Sequence, residues 1–474
     1  MKHPEQYRGR QVVVLGLARS GVQVAKTLHR HGAVVTVNDK KDRDQCPEAS
    51  ELEALGISVL CGGHPDELIH QEIELVIKNP GIPYSAPPVV KALDLGIDVV
   101  TEVEVAYHLC AAPMIGITGS NGKTTTTTWI GNILQSAGLH PIIAGNIGTP
   151  LCESAEEAHT DNWMVVELSS FQLKGIAQFR PAIGVLLNVA ETHLDYHGSM
   201  EDYISSKAKL FVNQTEEDTA VINWDDPVCR ELVPYIRAKL LPFSMTERLQ
   251  AEGVYIEPPY LPHEQHGGLR TIVYKSSEGT VTDIIQVDEI GLPGRFNVEN
   301  ALAAIAACLA AGMSSEQLAS PLRSFRGVEH RLEYVGAKDG VTYYNNSKAT
   351  NSKATMMAIE ALDAPIVLVA GGLDRGSDYV ELVPAFKDKV KAVVALGETK
   401  EKIAHIAKLA GLPDALLVDT GDSAADTLRT ATRKAAELAE PGDIVLLSPA
   451  CASWDMFASY EERGRIFKEA VHTL

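Results

Sequence analysis

Seven cysteines, Cys46, Cys61, Cys110, Cys152, Cys229, Cys308 and Cys451, are scattered without a single CxxC pair. The sequence therefore offers neither a disulfide framework nor a zinc site, and its thiols suit a reducing compartment. A long apolar run is missing too. The opening MKHPEQYRGRQVVVLGLA has only a few apolar residues before Gly16, too short for a signal peptide or a membrane span. Positive charge is scarce: 42 Lys and Arg stand against 62 Asp and Glu, a net charge of −20. Such a chain lacks the basic face that replaces counterions on nucleic acid, although local basic pockets for small anions stay open. No segment has the bias of disorder, and no repeat of about 20 to 50 residues is present. The expectation is a cytoplasmic monomer that neither enters membranes nor binds nucleic acid.

At 474 residues the chain exceeds what one core organises, so roughly three domains are expected. QVVVLGLARSG reads as a buried strand, a glycine turn and a helix ending near Gly32, followed by the strand AVVTVND. With IELVIK and IDVVT this gives a small parallel, Rossmann-like sheet over residues 1–101. A second α/β series begins at APMIGITGSNGKTT and continues through WMVVELSS, AIGVLLNVA and TAVINW. It ends with a hairpin in TIVYKSSEGTVTDIIQV and the Ala-rich helix NVENALAAIAACLAAG, for a central domain of 102–327. A third, Rossmann-like series, VTYYNNS, APIVLVAGG, KAVVALG, ALLVDTG and DIVLLSPA, fills 328–474.

The sharpest signal is Gly116-Ile117-Thr118-Gly119-Ser120-Asn121-Gly122-Lys123-Thr124-Thr125 between a strand and a helix. Glycines let amides turn toward phosphate oxygens, the helix start adds its positive dipole end, Lys123 neutralises β/γ charge, and Thr124 can ligate Mg²⁺. The usual P-loop has its first glycine where Ile117 stands, so this loop is a shortened variant. It predicts binding of ATP or GTP through residues 119–125; hydrolysis or transfer does not follow from the loop itself. Glu167, ending a strand, could hold Mg²⁺ or be a solvated strand-end residue. His193 and Asp195 follow another buried strand, where catalytic groups gather in α/β folds. Lys207 and Lys209, on a helical segment, read as solvent-exposed charges.

The loop, and the order of motifs after it, resemble those of the Mur ligases, whose relatives are the folylpolyglutamate synthetases. The resemblance extends over the whole chain. It implies that Glu167 in ELSSFQL binds magnesium and that His193, in a match to N-x-x-x-x-H-x-D beginning at Asn188, ligates a second Mg²⁺. Lys207 in Tyr203-x-x-x-Lys207 would react with CO₂ to form a carbamate, turning a cation into an oxygen donor; Lys209 would not. Asn146, Asn300 and Arg331 match residues near the adenine or phosphates. Asn346 stands in Asn345-Asn346-Ser347-Lys348-Ala349-Thr350-Asn351, where the family has NDSKATN. The amide keeps hydrogen bonding to the ATP ribose but loses the charge.

The ends of the chain discriminate among siblings. Gly16-Leu17-Ala18-Arg19-Ser20-Gly21 has alanine in place of the middle glycine of a dinucleotide fingerprint, which disfavours a nicotinamide cofactor. By resemblance, Arg19, Ser20, Asp39, Lys40, Asn79 and Gly81 contact a uridine diphosphate; a plain Rossmann-like turn is the alternative. Lys348, Thr350, Arg375, Ser453 and Tyr460 resemble a D-glutamate pocket, with arginine where some members have lysine and tyrosine where some have phenylalanine. The acceptor motif of the sibling adding diaminopimelate or lysine is not found. The implied reaction joins D-glutamate to UDP-N-acetylmuramoyl-L-alanine with ATP and Mg²⁺, two ions being expected, through an acyl phosphate shielded as the third domain closes. A folylpolyglutamate-type ligase, a P-loop motor or switch, and a non-catalytic nucleotide binder are the rival readings.

Overall fold

The computed structural model describes residues 1–261, 268–413, 415–419, 421 and 423–474. Those residues gather into two compact units, Met1–Glu289 with Glu299–Arg323, and Ile290–Val298 with Ser324–Leu474. The first unit contains two sheets and the second contains one.

The N-terminal sheet has five parallel strands in the spatial order Ser58–Leu60, Val34–Asn38, Gln11–Leu15, Ile73–Lys78 and Val99–Val100. Its central strand is buried on both faces, as a run of β-branched residues dictates in a parallel sheet. Helix Arg19–Arg30 covers it with Val22, Ala25 and Leu28, spaced three residues apart on one face. Each such fully buried Val or Leu contributes roughly 1.5–3 kcal/mol.

The second sheet has nine strands in the order Val281–Gln286, Thr271–Lys275, Gly253–Glu257, Lys239–Ser244, Thr219–Asn223, Ile183–Leu186, Met114–Thr118, Asn162–Glu167 and His140–Gly145. Seven strands are parallel, and the hairpin 271–286 continues the same sheet antiparallel at its edge. The small β element expected from sequence is therefore an extension of the main sheet, because Gly253–Glu257 leaves an open edge for it to pair with. The Ala-rich helix Arg295–Ala310 shows zero exposure from Ala301 through Cys308, the small side chains admitting neighbours on every face. Residues 1–101 and the central sheet share one hydrophobic core, in which Leu28 and Ala25 join Leu151 and Ala155; Thr27 Oγ1 also donates to Glu156 at 3.2 Å.

The second unit has a six-stranded sheet ordered Glu333–Lys338, Val341–Asn345, Ile444–Leu447, Ile366–Ala370, Val390–Ala395 and Leu416–Leu417. Its edge strand Glu333–Lys338 is antiparallel and lacked a clear sequence signal, since no residue in it is fully buried. The strand expected over ALLVDTG shrinks to Leu416–Leu417, and Thr420 of that stretch lies outside the described residues. Among the described residues no helix is long and apolar enough to cross a membrane.

Candidate active site

Met114–Thr118 lies where the nine-stranded sheet reverses its winding, with Asn162–Glu167 on one side and Ile183–Leu186 on the other. The carboxyl ends of these strands flank one crevice, the position where open α/β sheets bind ligands. The glycine loop leaves the central strand there and enters helix Lys123–Ser136. Gly122 takes φ +83°, and a Cβ on it would collide with Asn300 Oδ1. Only glycine serves at that point.

Side chains around the loop hold its shape. Ser120 Oγ donates to Ala190 O at 3.0 Å, accepts from Ala190 N at 2.8 Å and lies 2.9 Å from the Tyr203 hydroxyl. Asn188 Oδ1 accepts from Asn121 N at 2.9 Å. Behind it, Glu299 Oε1 accepts from Asn188 (3.3 Å) and Asn223 (3.0 Å), and burial pushes the Glu299 carboxyl up to about 7. Asn300, expected near adenine or phosphates, accepts from Thr126 Oγ1 at 3.3 Å and backs the loop from below. Thr124 and Thr125 are buried at the helix start.

Two lysines converge on this loop. Lys123 Nζ donates to Gly119 O at 2.7 Å and Ser120 O at 3.0 Å. Lys207 Nζ donates to Gly119 O at 2.8 Å and reaches Thr118 Oγ1 at 3.5 Å. Residue pattern by itself put Lys207 at the surface and the resemblance put it in the site; it is 1% exposed, with the Tyr203 ring 4.7 Å from its ammonium. Burial, then the charge of Lys123, holds its pKa well below the usual lysine range. Lys209 is also drawn in, donating to Lys174 O at 2.6 Å.

Glu167 is 1% exposed, and its Oε1 accepts from Asn146 Nδ2 at 2.8 Å, so Asn146 orients the carboxylate. Oε2 is buried with no hydrogen-bond partner. An orphaned carboxylate oxygen is costly, and a divalent cation is the natural group to satisfy it. Among the described residues no three His, Cys, Asp or Glu side chains converge. A Mg²⁺ ion here would draw its oxygens from Glu167, Thr124 and a bound phosphate.

His193 takes φ +57° and starts the short helix Leu194–His197, with its ring 5.1 Å from that of Phe171. Burial and Lys123 lower its pKa and favour the neutral imidazole that a metal needs. Asp195 is exposed on that helix. Sequence reasoning missed a relay beside it: His197 Nε2 lies 3.0 Å from Ser170 Oγ, its Nδ1 lies 2.7 Å from Asp202, and Asp202 accepts from Lys174 at 2.7 and 2.8 Å. Ser170 is 2% exposed. The relay pins together the segments that carry Glu167, His193 and Lys207.

The N-terminal sheet has its own reversal point, where Leu15 pairs with Lys78. Gly16–Ser20 and Asn79–Gly81 leave these paired ends side by side. Asp39 accepts from Leu17 N at 2.8 Å and Lys41 N at 3.0 Å, and Ser20 Oγ donates to Asn79 Oδ1 at 2.9 Å. These three residues shape the crevice, while Arg19, Lys40 and Gly81 are exposed.

In the second unit, the Lys348 ammonium lies 5.5 Å from the Tyr460 ring centre and the Arg375 guanidinium 4.8 Å from that of Trp454. Ser453 is buried, and Thr350 N donates to Lys348 O at 3.0 Å. Arg463, absent from the sequence reading, is 2% exposed and donates to Ser347 Oγ (3.0 Å), Ser347 O (2.9 Å) and Cys451 O (3.1 Å). It joins the loop of Lys348 and Thr350 to that of Ser453. Asn346, expected at the ribose, has both ends of its amide occupied inside the fold: Oδ1 accepts from Leu332 N at 3.1 Å and Nδ2 donates to Ser448 Oγ at 3.0 Å. Arg331 follows the buried His330, whose Nδ1 lies 2.9 Å from Asn345 Nδ2.

Three family models match in succession: the Mur ligase MurD-like N-terminal domain over residues 10–101, the Mur ligase middle domain over 117–308, and the Mur ligase glutamate ligase domain over 330–451. Over 475 aligned residues the chain is 49% identical to the UDP-N-acetylmuramoylalanine--D-glutamate ligase of Geobacillus sp. (strain WCH70), covering 100% of both. The chain belongs to the Mur ligase family. Solved Mur ligases share its fold at low identity. UDP-N-acetylmuramate-alanine ligase MurC of Thermotoga maritima is 17% identical with a TM-score of 0.58, covering 98% of this chain and 99% of that one. MurF ligase of the same organism, in complex with ADP, is 17% identical with a TM-score of 0.55, covering 100% and 97%.

Proposed function

We propose that this Mur ligase joins the amine of D-glutamate to the alanyl carboxylate of UDP-N-acetylmuramoyl-L-alanine at the expense of ATP, acting as a cytoplasmic monomer. The reading is carried by Lys123 and Lys207 meeting at the Gly119 carbonyl, with the buried Glu167 ending the neighbouring strand, in a chain aligned end to end with a D-glutamate ligase.

A carboxylate is a poor electrophile. Its oxygen attacks the γ-phosphorus of ATP, the bond to the β-phosphate oxygen breaks, and ADP leaves an acyl phosphate. The amides of residues 119–125 and the ammonium of Lys123 stabilise the negative charge that develops. The D-glutamate amine then attacks the acyl carbon, loses a proton and expels phosphate. Lys207, whose pKa burial lowers, adds through its neutral amine form to CO₂, forms an N–C bond and releases a proton, becoming an anionic carbamate. Glu167 and Thr124 would hold one Mg²⁺, and His193 with the carbamate a second; the ions supply charge neutralisation on the transferring phosphoryl group. Lys348 and Arg375 offer cations for the two carboxylates of D-glutamate, with Ser453, Thr350 and Tyr460 as polar partners. Arg331 reads as a phosphate-binding fork. At the N-terminal crevice, Arg19, Ser20, Asp39, Lys40, Asn79 and Gly81 receive the uridine diphosphate.

Phosphate release measured with ATP across a panel of D- and L-amino acids, with and without UDP-N-acetylmuramoyl-L-alanine, tests the reading. Release is expected with D-glutamate and the UDP substrate together. Release indifferent to either one rejects it.

A further inference from the structure

Lys78 ends the strand Ile73–Lys78 with no exposed surface, and the described partners of its ammonium are all neutral. It donates to Ile82 O at 2.8 Å, Pro80 O at 3.2 Å and the Tyr196 hydroxyl at 3.2 Å. The Tyr84 ring lies 4.7 Å away. Tyr196 donates to the same carbonyls, Pro80 O at 3.0 Å and Ile82 O at 3.3 Å. An ammonium and a phenol thus grip one turn from two sides. Burying a cation without a counter-charge opposes folding, and an apolar side chain would fill the volume without that penalty. What the lysine provides is geometry, because one nitrogen on a flexible stem can hold two converging carbonyls and a hydroxyl together.

The two ends of this clamp belong to different parts of the machinery. The turn Asn79–Ile82 sits at the reversal point of the N-terminal sheet, where Asn79 meets Ser20 and the Gly16 loop. Tyr196 lies on the helix that His193 begins, next to the glycine-loop crevice. We propose that Lys78 is a positioning residue for the UDP-substrate: through Tyr196 it fixes the turn after the fourth strand against the His193 segment, setting the distance between the diphosphate site and the site of phosphoryl transfer. The inference rests on the ligase reading above.

The test measures kcat and KM for UDP-N-acetylmuramoyl-L-alanine, ATP and D-glutamate in Lys78→Met, Tyr196→Phe and the double variant, alongside melting temperature. Lys78→Met is expected to raise KM for the UDP substrate about tenfold while KM for ATP moves less than about twofold. Tyr196→Phe, which keeps the ring, is expected to raise the same constant by a smaller factor, and the double variant to match Lys78→Met instead of multiplying the two effects. An unchanged KM for the UDP substrate, an equal rise for ATP, or fully multiplicative effects would overturn the proposal. If Lys78→Met does not fold, Tyr196→Phe decides by the same criterion. Wild-type protein that fails to use the UDP substrate sinks the ligase reading, whereas a wild type that uses it beside indifferent variants sinks only this one.

Discussion

Lys123 and Lys207 donate to the same carbonyl oxygen, that of Gly119, at 2.7 and 2.8 Å. Two ammonium groups so close in a buried site repel, and the more buried one gives up its charge more easily. Lys207 is that one, since burial and the neighbouring Lys123 both lower its pKa. A lysine with a lowered pKa beside a cation is suited to addition to CO₂, because a carbamate there would be an anion facing Lys123.

Lys207→Arg keeps positive charge and cannot form the carbamate, so kcat is expected to fall by about 10²–10³-fold with the fold intact. Wild-type protein equilibrated with ¹³C-bicarbonate should show a carbamate carbon resonance that Lys207→Arg lacks. Full activity in that variant would exclude a role for the modification.

Asn146 donates to Glu167 Oε1 and leaves Oε2 without a protein partner. Loss of such an orienting hydrogen bond typically weakens metal binding about 10–100-fold. For Asn146→Ala, a Mg²⁺ titration of activity should therefore shift its midpoint upward by that order, with the maximal rate at saturating Mg²⁺ less affected. An unshifted midpoint would separate Glu167 from the metal.

Arg375 is expected to act on the amino-acid substrate alone. Arg375→Ala should raise KM for D-glutamate roughly tenfold or more and leave KM for the UDP substrate nearly unchanged. Steady-state kinetics with each substrate varied in turn checks this, and a rise shared by both substrates would contradict the assignment.

Burial, with Lys174 as the repelling neighbour, lowers the Lys78 pKa from 10.5 to about 7. Lys174 is itself paired with Asp202, and the phenols of Tyr84 and Tyr196 complete the surroundings. Between these two values the unfolded chain holds a proton that the folded chain has released, so stability rises with pH across that window and is lost as pH falls toward 7. Chemical denaturation of wild type and Lys78→Met at several pH values from about 7 to 10 should show wild type gaining relative to the variant as pH rises. A pH-independent difference would mean that Lys78 titrates normally.

The parts of this fold that were legible from sequence are those coded by contiguous residues. The glycine loop, its lysine and the flanking strand and helix stand in one continuous stretch, Met114–Ser136, and Glu167 ends a strand whose apolar run announces it. Lys78, Lys207 and Arg463 were illegible as buried cations, because neighbours distant in sequence decide their burial: Tyr196 for Lys78, Gly119 for Lys207, Ser347 for Arg463. The Ser170–His197–Asp202 relay was hidden for the same reason, its members lying on three separate helices. The resemblance to the Mur ligases supplied Lys207 where residue pattern alone pointed to solvent. It also implied Asn346 at the ribose, and pattern gave no sign that this amide also ties Leu332 N to Ser448 Oγ.

The central claim is that the alanyl carboxylate accepts the γ-phosphoryl group before the amine arrives. UDP-N-acetylmuramoyl-L-alanine labelled with ¹⁸O in its carboxylate tests it directly, by mass analysis of the phosphate released during ligation to D-glutamate. An acyl phosphate transfers one labelled oxygen to each phosphate released, and that is the result predicted; phosphate free of label would contradict the account.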